Sequence, residues 1–74
     1  MRLSEMTALA EHVFGPALAS IYTRETVLTE LDGRTARQAL DDGIPVRRVW
    51  TALCDQMDVP DAMRWELPPE KRPG

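Results

Sequence analysis

Seventy-four residues, 43% of them hydrophobic and 28% charged, make one small globular domain. The formal charge is −3 and Lys71 is the only lysine among nine basic residues, which argues against a nucleic-acid coat or an anionic membrane surface, because neutralising phosphates takes clustered cations. The single cysteine, Cys54, excludes an internal disulfide, and no run approaches the roughly 18 apolar residues of a membrane span.

A chain of this size buries only about 60% of the surface of its unfolded state, so partner binding can add materially to its stability. The N-terminal stretch carries charges at Arg2, Glu5 and Glu11 and has no apolar run suited to a signal peptide. With no disulfide to protect, the expected location is the cytoplasm.

The first predicted helix covers residues 5–13, with Ser4 as N-cap and Glu5 at the positive end of the dipole. Leu3, Met6, Leu9 or Ala10, and Val13 form its apolar stripe. Gly15 ends it, and Pro16 suits the first position of a second helix over 16–31. Leu18, Ile21, Leu28 and Leu31 are the expected apolar face of that helix. Thr23 to Thr26 interrupt it with four polar residues, two of them β-branched, and favour a kink or an early stop. Asp32-Gly33 closes the segment, with Gly33 suited to the left-handed conformation.

The third helix has the best-marked start. Thr35 and Gln38 have capping-box spacing ahead of a short helix over 36–42, and Gly43 stops it. The fourth helix is expected over 45–57. Its residues Val46, Val49, Trp50, Leu53 and Met57 recur at helical spacing, which makes it the cleanest amphipathic pattern of the chain. Pro60 breaks it. Residues 61–67 are expected to add one turn, with Met63 and Trp65 folding back toward the core, and 68–74, rich in proline and charge, reads as a disordered tail. No strand-like alternation stands out. The expected fold class is all-α: a small orthogonal bundle of three to four short helices in one domain over 1–67, with the third and fourth forming a helix-turn-helix-like hairpin. The expected core is Leu9, Phe14, Leu18, Ile21, Leu28, Leu31, Leu40, Val49, Trp50 and Leu53.

Phe14-Gly15-Pro16, Leu28, Leu31, Gly33-Arg34-Thr35, Ala39-Leu40, Gly43, Val49-Trp50 and Leu53-Cys54 stand behind an opening Met1-Arg2-Leu3. In that order they resemble the short actinobacterial proteins catalogued as domain of unknown function 3046, over about residues 1–60. The resemblance implies an all-helical fold and supplies no catalytic or ligand residues. It also implies genes lying beside those for recombinase A and its regulator RecX, and through them a link to DNA repair. The Trp65 region and the tail fall outside the shared pattern.

Ala39, Gly43 and Val49 fall at helix-turn-helix spacing, where a small residue, a turn glycine and a core aliphatic let two helices cross closely. Asp42 stands where that motif prefers an apolar residue. On a DNA-reading helix Val46, Arg47, Trp50 and Thr51 would meet bases and Arg48 a phosphate, but Trp50 also belongs to the apolar stripe and is better placed in the core. Arg34, Arg37, Arg47 and Arg48 bracket the turn. Beside Asp32, Asp41 and Asp42 the plainer reading is a solvated mixed-charge face, and the functional one is a docking surface for an acidic partner or phosphate. Trp65, with Met63, either caps the core or joins a partner surface.

His12 has no second ligand at metal-binding spacing, and Cys54 reads as a small buried apolar residue. No nucleophile–base pair, acid pair or glycine-rich phosphate loop is evident, so no catalytic residue, cofactor, metal or small-molecule substrate is expected. The expected function is a non-enzymatic intracellular protein-interaction module using Arg34, Arg37, Arg47, Arg48 and Trp65. The alternative is a helix-turn-helix-like DNA-binding or DNA-repair accessory protein, disfavoured by net charge.

Overall fold

Gly15 lets two helices follow one another across a single residue. The computed structural model describes residues 1–71. In it α1 (Leu3–Phe14) ends where the Gly15 amide donates to Glu11 O at 2.9 Å, and α2 (Pro16–Glu25) begins where the Ala19 amide donates to Gly15 O at 2.8 Å. The φ of +86° at Gly15 lies where a Cβ is strained, which is why glycine serves both ends at once. At the start of α1 the cap is Arg2 rather than the expected Ser4. The Arg2 amide donates to the Glu5 carboxylate at 3.1 Å, so the acidic side chain secures the first turn and Ser4 lies inside it.

The second helix is shorter than the pattern predicted. It stops at Glu25, and the expected continuation to Leu31 is instead strand β1 (Val27–Leu28) and one 3-10 turn (Thr29–Leu31), followed after the Asp32-Gly33 turn by strand β2 (Arg34–Thr35). The strands pair antiparallel, Val27 with Thr35 and Leu28 with Arg34. This ladder corrects the expectation of no strand. Its cause is local. Thr23 turns its hydroxyl back onto Ala19 O at 2.7 Å, Thr26, Val27 and Thr29 are β-branched and favour extended backbone, and Asp32 and Gly33, at φ +56° and +77°, reverse the chain. Leu28 and Leu31 are buried as predicted, though a strand and a 3-10 turn, not one helical face, deliver them.

The capping box forms as expected at α3 (Ala36–Asp41): the Gln38 amide donates to Thr35 Oγ1 at 3.2 Å and the Thr35 amide to Gln38 Oε1 at 2.9 Å. Thr35→Ala is expected to lower stability by about 1 kcal/mol, seen as a lower urea midpoint with an unchanged slope. An unshifted midpoint would mean that α3 is held by packing alone. Gly43, at φ +85°, then closes a Schellman motif, in which Ile44 N–H donates to Ala39 O at 3.0 Å and Gly43 N–H to Leu40 O at 3.1 Å.

Helix α4 (Val46–Gln56) is the axis of the core and buries Val49, Trp50, Ala52, Leu53 and Cys54. It ends in the same motif with Asp58 at φ +56° in the glycine position: Val59 N–H donates to Cys54 O at 2.9 Å and Asp58 N–H to Asp55 O at 3.3 Å. That turn sends α5 (Asp61–Arg64) back across α4, where Arg64 O accepts from the Trp50 indole at 2.9 Å. Phe14 meets Trp50 and Tyr22 edge-on, at centroid distances of 6.2 and 5.2 Å. The fold is all-α apart from the two-residue strands, with five α-helices among the described residues.

The predicted core needs two corrections. Leu18 and Ile21 are 45% and 39% exposed, because α2 presents Ala19 and Tyr22 to its neighbours instead. Residues one position apart on a helix point about 100° apart, so the buried stripe is a neighbour of the predicted one. Small side chains fill much of the remaining core: Ala10, Ala19, Ala36, Ala39 and Ala52 are all buried. Phe14 and Leu40 are partly buried and pack against it. Pro69–Lys71 forms a 3-10 turn, while residues 72–74 of the expected tail lie outside the described residues.

Candidate interaction surface

Helix α4 turns Val49, Trp50 and Leu53 inward, which leaves Arg47, Arg48, Asp55 and Gln56 outward. The last turn of this outward face is tied to α5. Arg64 donates from Nε to Val59 O at 2.8 Å and from Nη1 to Asp55 Oδ1 at 2.6 Å, and lies 3.5 Å from Asp61. Its bond to Asp55 pushes the guanidinium above its ordinary value, so the clamp stays charged at any working pH. Sequence reasoning missed Arg64, whose partners lie five and nine residues away. The one local signal was Asp61 at i−3.

This clamp fixes where Trp65 emerges. Trp65 is 41% exposed as a residue, and the Arg47 guanidinium lies over its ring, 4.8 Å from the centroid, with Met63 also exposed. Of the two placements the sequence left open for Met63 and Trp65, core cap or surface, both side chains stand exposed rather than folded into the core. A cleft of about 610 Å³ runs from this ring past Met63 and Leu67 to His12 on α1.

The five predicted contact residues do not form one patch. Arg47 and Trp65 touch, and Arg48 is exposed beside Arg47 on α4. Arg34 is committed elsewhere, with Nε on Asp42 at 2.8 Å and Nη1 near Leu31 O and Asp32 at 3.3 and 3.5 Å. That is the mixed-charge arrangement of the plainer reading. Arg37 sits on α3 at the rim of a separate cleft between α1 and α2.

Trp50 is fully buried and cannot meet a base. Cys54 is buried as predicted, and desolvation pushes its thiol up to about 12, with Arg64 lowering and Asp55 raising it. At that value only about one molecule in 10⁵ carries a thiolate at neutral pH. Among the described residues no group of three or more His, Cys, Asp or Glu is placed to hold a metal ion, and no helix is long and apolar enough to cross a membrane.

What these features define is a small all-α domain built around one amphipathic helix, with a cation–aromatic contact on its surface. Residues 1–62 match the family model described as "Protein of unknown function (DUF3046)", and the chain belongs to that family. No curated protein and no solved structure gives a match. The matched span contains Arg47 and stops short of Met63 and Trp65, so half of the surface contact lies beyond it.

Proposed function

We propose that this chain is a non-enzymatic intracellular protein-interaction module whose contact surface is the Arg47–Trp65 face. One observation carries this reading: a tryptophan held at the surface, beneath an arginine, by a helix whose position the Arg64 clamp fixes. Tryptophan and arginine are the side chains most enriched at binding hot spots, and a preordered pair loses little entropy on docking. The roles of the titratable groups favour binding over chemistry. Asp42, Asp55 and Asp61 pair with arginines, and Cys54 is a protonated core residue.

The test is affinity capture from the native cell with the tagged full chain and with its Arg47→Glu/Trp65→Ala variant. An exposed cation–π pair contributes about 0.5–1 kcal/mol, so the variant should melt within a few degrees of the parent while losing its partner. Equal recovery of that partner by both chains would remove this face from consideration. The alternative, a helix-turn-helix-like DNA-binding or DNA-repair accessory protein, has Arg47 and Arg48 on the outward face of α4 as its support. Under the favoured reading, duplex DNA is not retarded at low salt by protein at about tens of micromolar. A shift that disappears as salt rises would favour the alternative.

A further inference from the structure

We propose that the cleft between α1 and α2, bordered by α3, is a second docking site, and that its occupant is an acidic amphipathic helix of a partner protein. The cleft encloses about 290 Å³. Met6, Ala10 and Ala19 form its buried floor, Leu40 reaches it from α3, and Leu3 stands 54% exposed at its edge. The short alanine side chains leave the floor recessed, with room for side chains of an incoming helix to seat. Two flanking helices with an apolar floor make the shape that receives anchors spaced i, i+3, i+4 and i+7.

Charge selects the partner. Arg34 and Arg64 are neutralised by carboxylates of this chain. Arg24 and Arg37, which both line the cleft, have no carboxylate partner among the described residues, and Arg24 donates only its Nε to Ser20 O at 3.2 Å. Among the described residues Glu11 is the one carboxylate in the lining. Arg2, Arg47 and Arg48 likewise have no carboxylate partner among the described residues, but Arg24 and Arg37 are the two that line this apolar cleft, and together they can recognise an external carboxylate pair. The apolar floor favours a helix with an acidic flank over nucleic acid, whose phosphates would leave Leu3, Met6 and Leu40 without contact. This site belongs to the interaction-module reading above but shares no residue with the Arg47–Trp65 face, so either can fail without the other.

The experiment uses the full chain and a fluorescein-labelled peptide of about 18 residues, with leucine at i, i+3, i+4 and i+7 and glutamate and alanine elsewhere. Its controls are a peptide with lysine replacing glutamate and a scrambled peptide of the same composition. Anisotropy should show the acidic amphipathic peptide binding at least ~10-fold more tightly than either control. Arg24→Glu/Arg37→Glu and the gentler Arg24→Gln/Arg37→Gln should each weaken it by ~10-fold or more, whereas Trp65→Ala should not. Amide NMR shifts should concentrate at Met6, Ala10 and Ala19. Equal binding of the three peptides, retention of affinity by both double variants, competition by a DNA duplex, or occlusion of the cleft by self-association in sedimentation would each overturn the proposal.

Discussion

Trp50→Ala is expected to lose most of the stability of this domain. The side chain is fully buried, its indole N–H donates to Arg64 O at 2.9 Å, and its ring meets Phe14 edge-on. Truncating a buried aromatic to alanine costs about 3–5 kcal/mol through lost transfer energy and the cavity left behind. At ~0.05–0.15 kcal/mol per residue, a chain of this length has only about 4–11 kcal/mol in total. The loss extends beyond packing. Without the indole, Arg64 O is left without its donor and α5 loses its seat on α4. Urea denaturation followed by far-UV circular dichroism should therefore show a midpoint lowered by about half or more. Trp50→Phe should fall between the parent and the alanine variant, because it keeps a ring but not the donor. A Trp50→Ala protein melting within a few degrees of the parent would show that the core is not organised around α4.

Alkaline pH should destabilise the protein through Cys54. Burial pushes the folded thiol up from its ordinary 9.0 to about 12. Above pH 9 the unfolded chain releases this proton while the folded chain retains it, so the folded state binds more protons and stability falls as pH rises. The contribution is complete below pH 9 and is lost between pH 9 and about 12, at a slope of up to ~1.4 kcal/mol per unit. Cys54→Ala should remove that slope while costing about 1 kcal/mol at neutral pH for the missing volume. The difference between the urea midpoints of parent and variant, plotted against pH, isolates the Cys54 contribution. A thiol reagent should also modify native Cys54 only as fast as the protein opens. Stoichiometric labelling within seconds under native conditions would contradict the burial on which both expectations rest.

The residues that could be read in advance are those whose partners are near in sequence. Thr35 and Gln38 form their reciprocal bonds three residues apart, Gly43 is required by backbone geometry, and the Val49–Trp50–Leu53 stripe needs only the helical period. The candidate surface was half visible. Arg47 and Trp65 were both singled out, yet seventeen residues of intervening chain conceal that they touch. Arg64 went unnoticed because a charged residue beyond a proline resembles an exposed one until the α4–α5 turn places Val59 O and Asp55 around it.

Helix α2 shows the division most clearly. By hydrophobicity alone Leu18 and Ile21 outrank Ala19 and Tyr22 as a core stripe, and nothing within the helix reverses that order. The packing of α1 does, because a close approach of two helices joined by one residue requires a small side chain, and Ala19 meets that need. By itself the amino-acid order determined the helical class, the capping box of α3, the turn glycines and the identity of α4 as the core helix, since each follows from interactions spanning no more than about one turn. Tertiary structure alone decided the phase of α2, the seat of α5 and the pairing of Arg47 with Trp65. Those depend on which surfaces meet after the chain collapses, and distance along the backbone carries no record of that meeting.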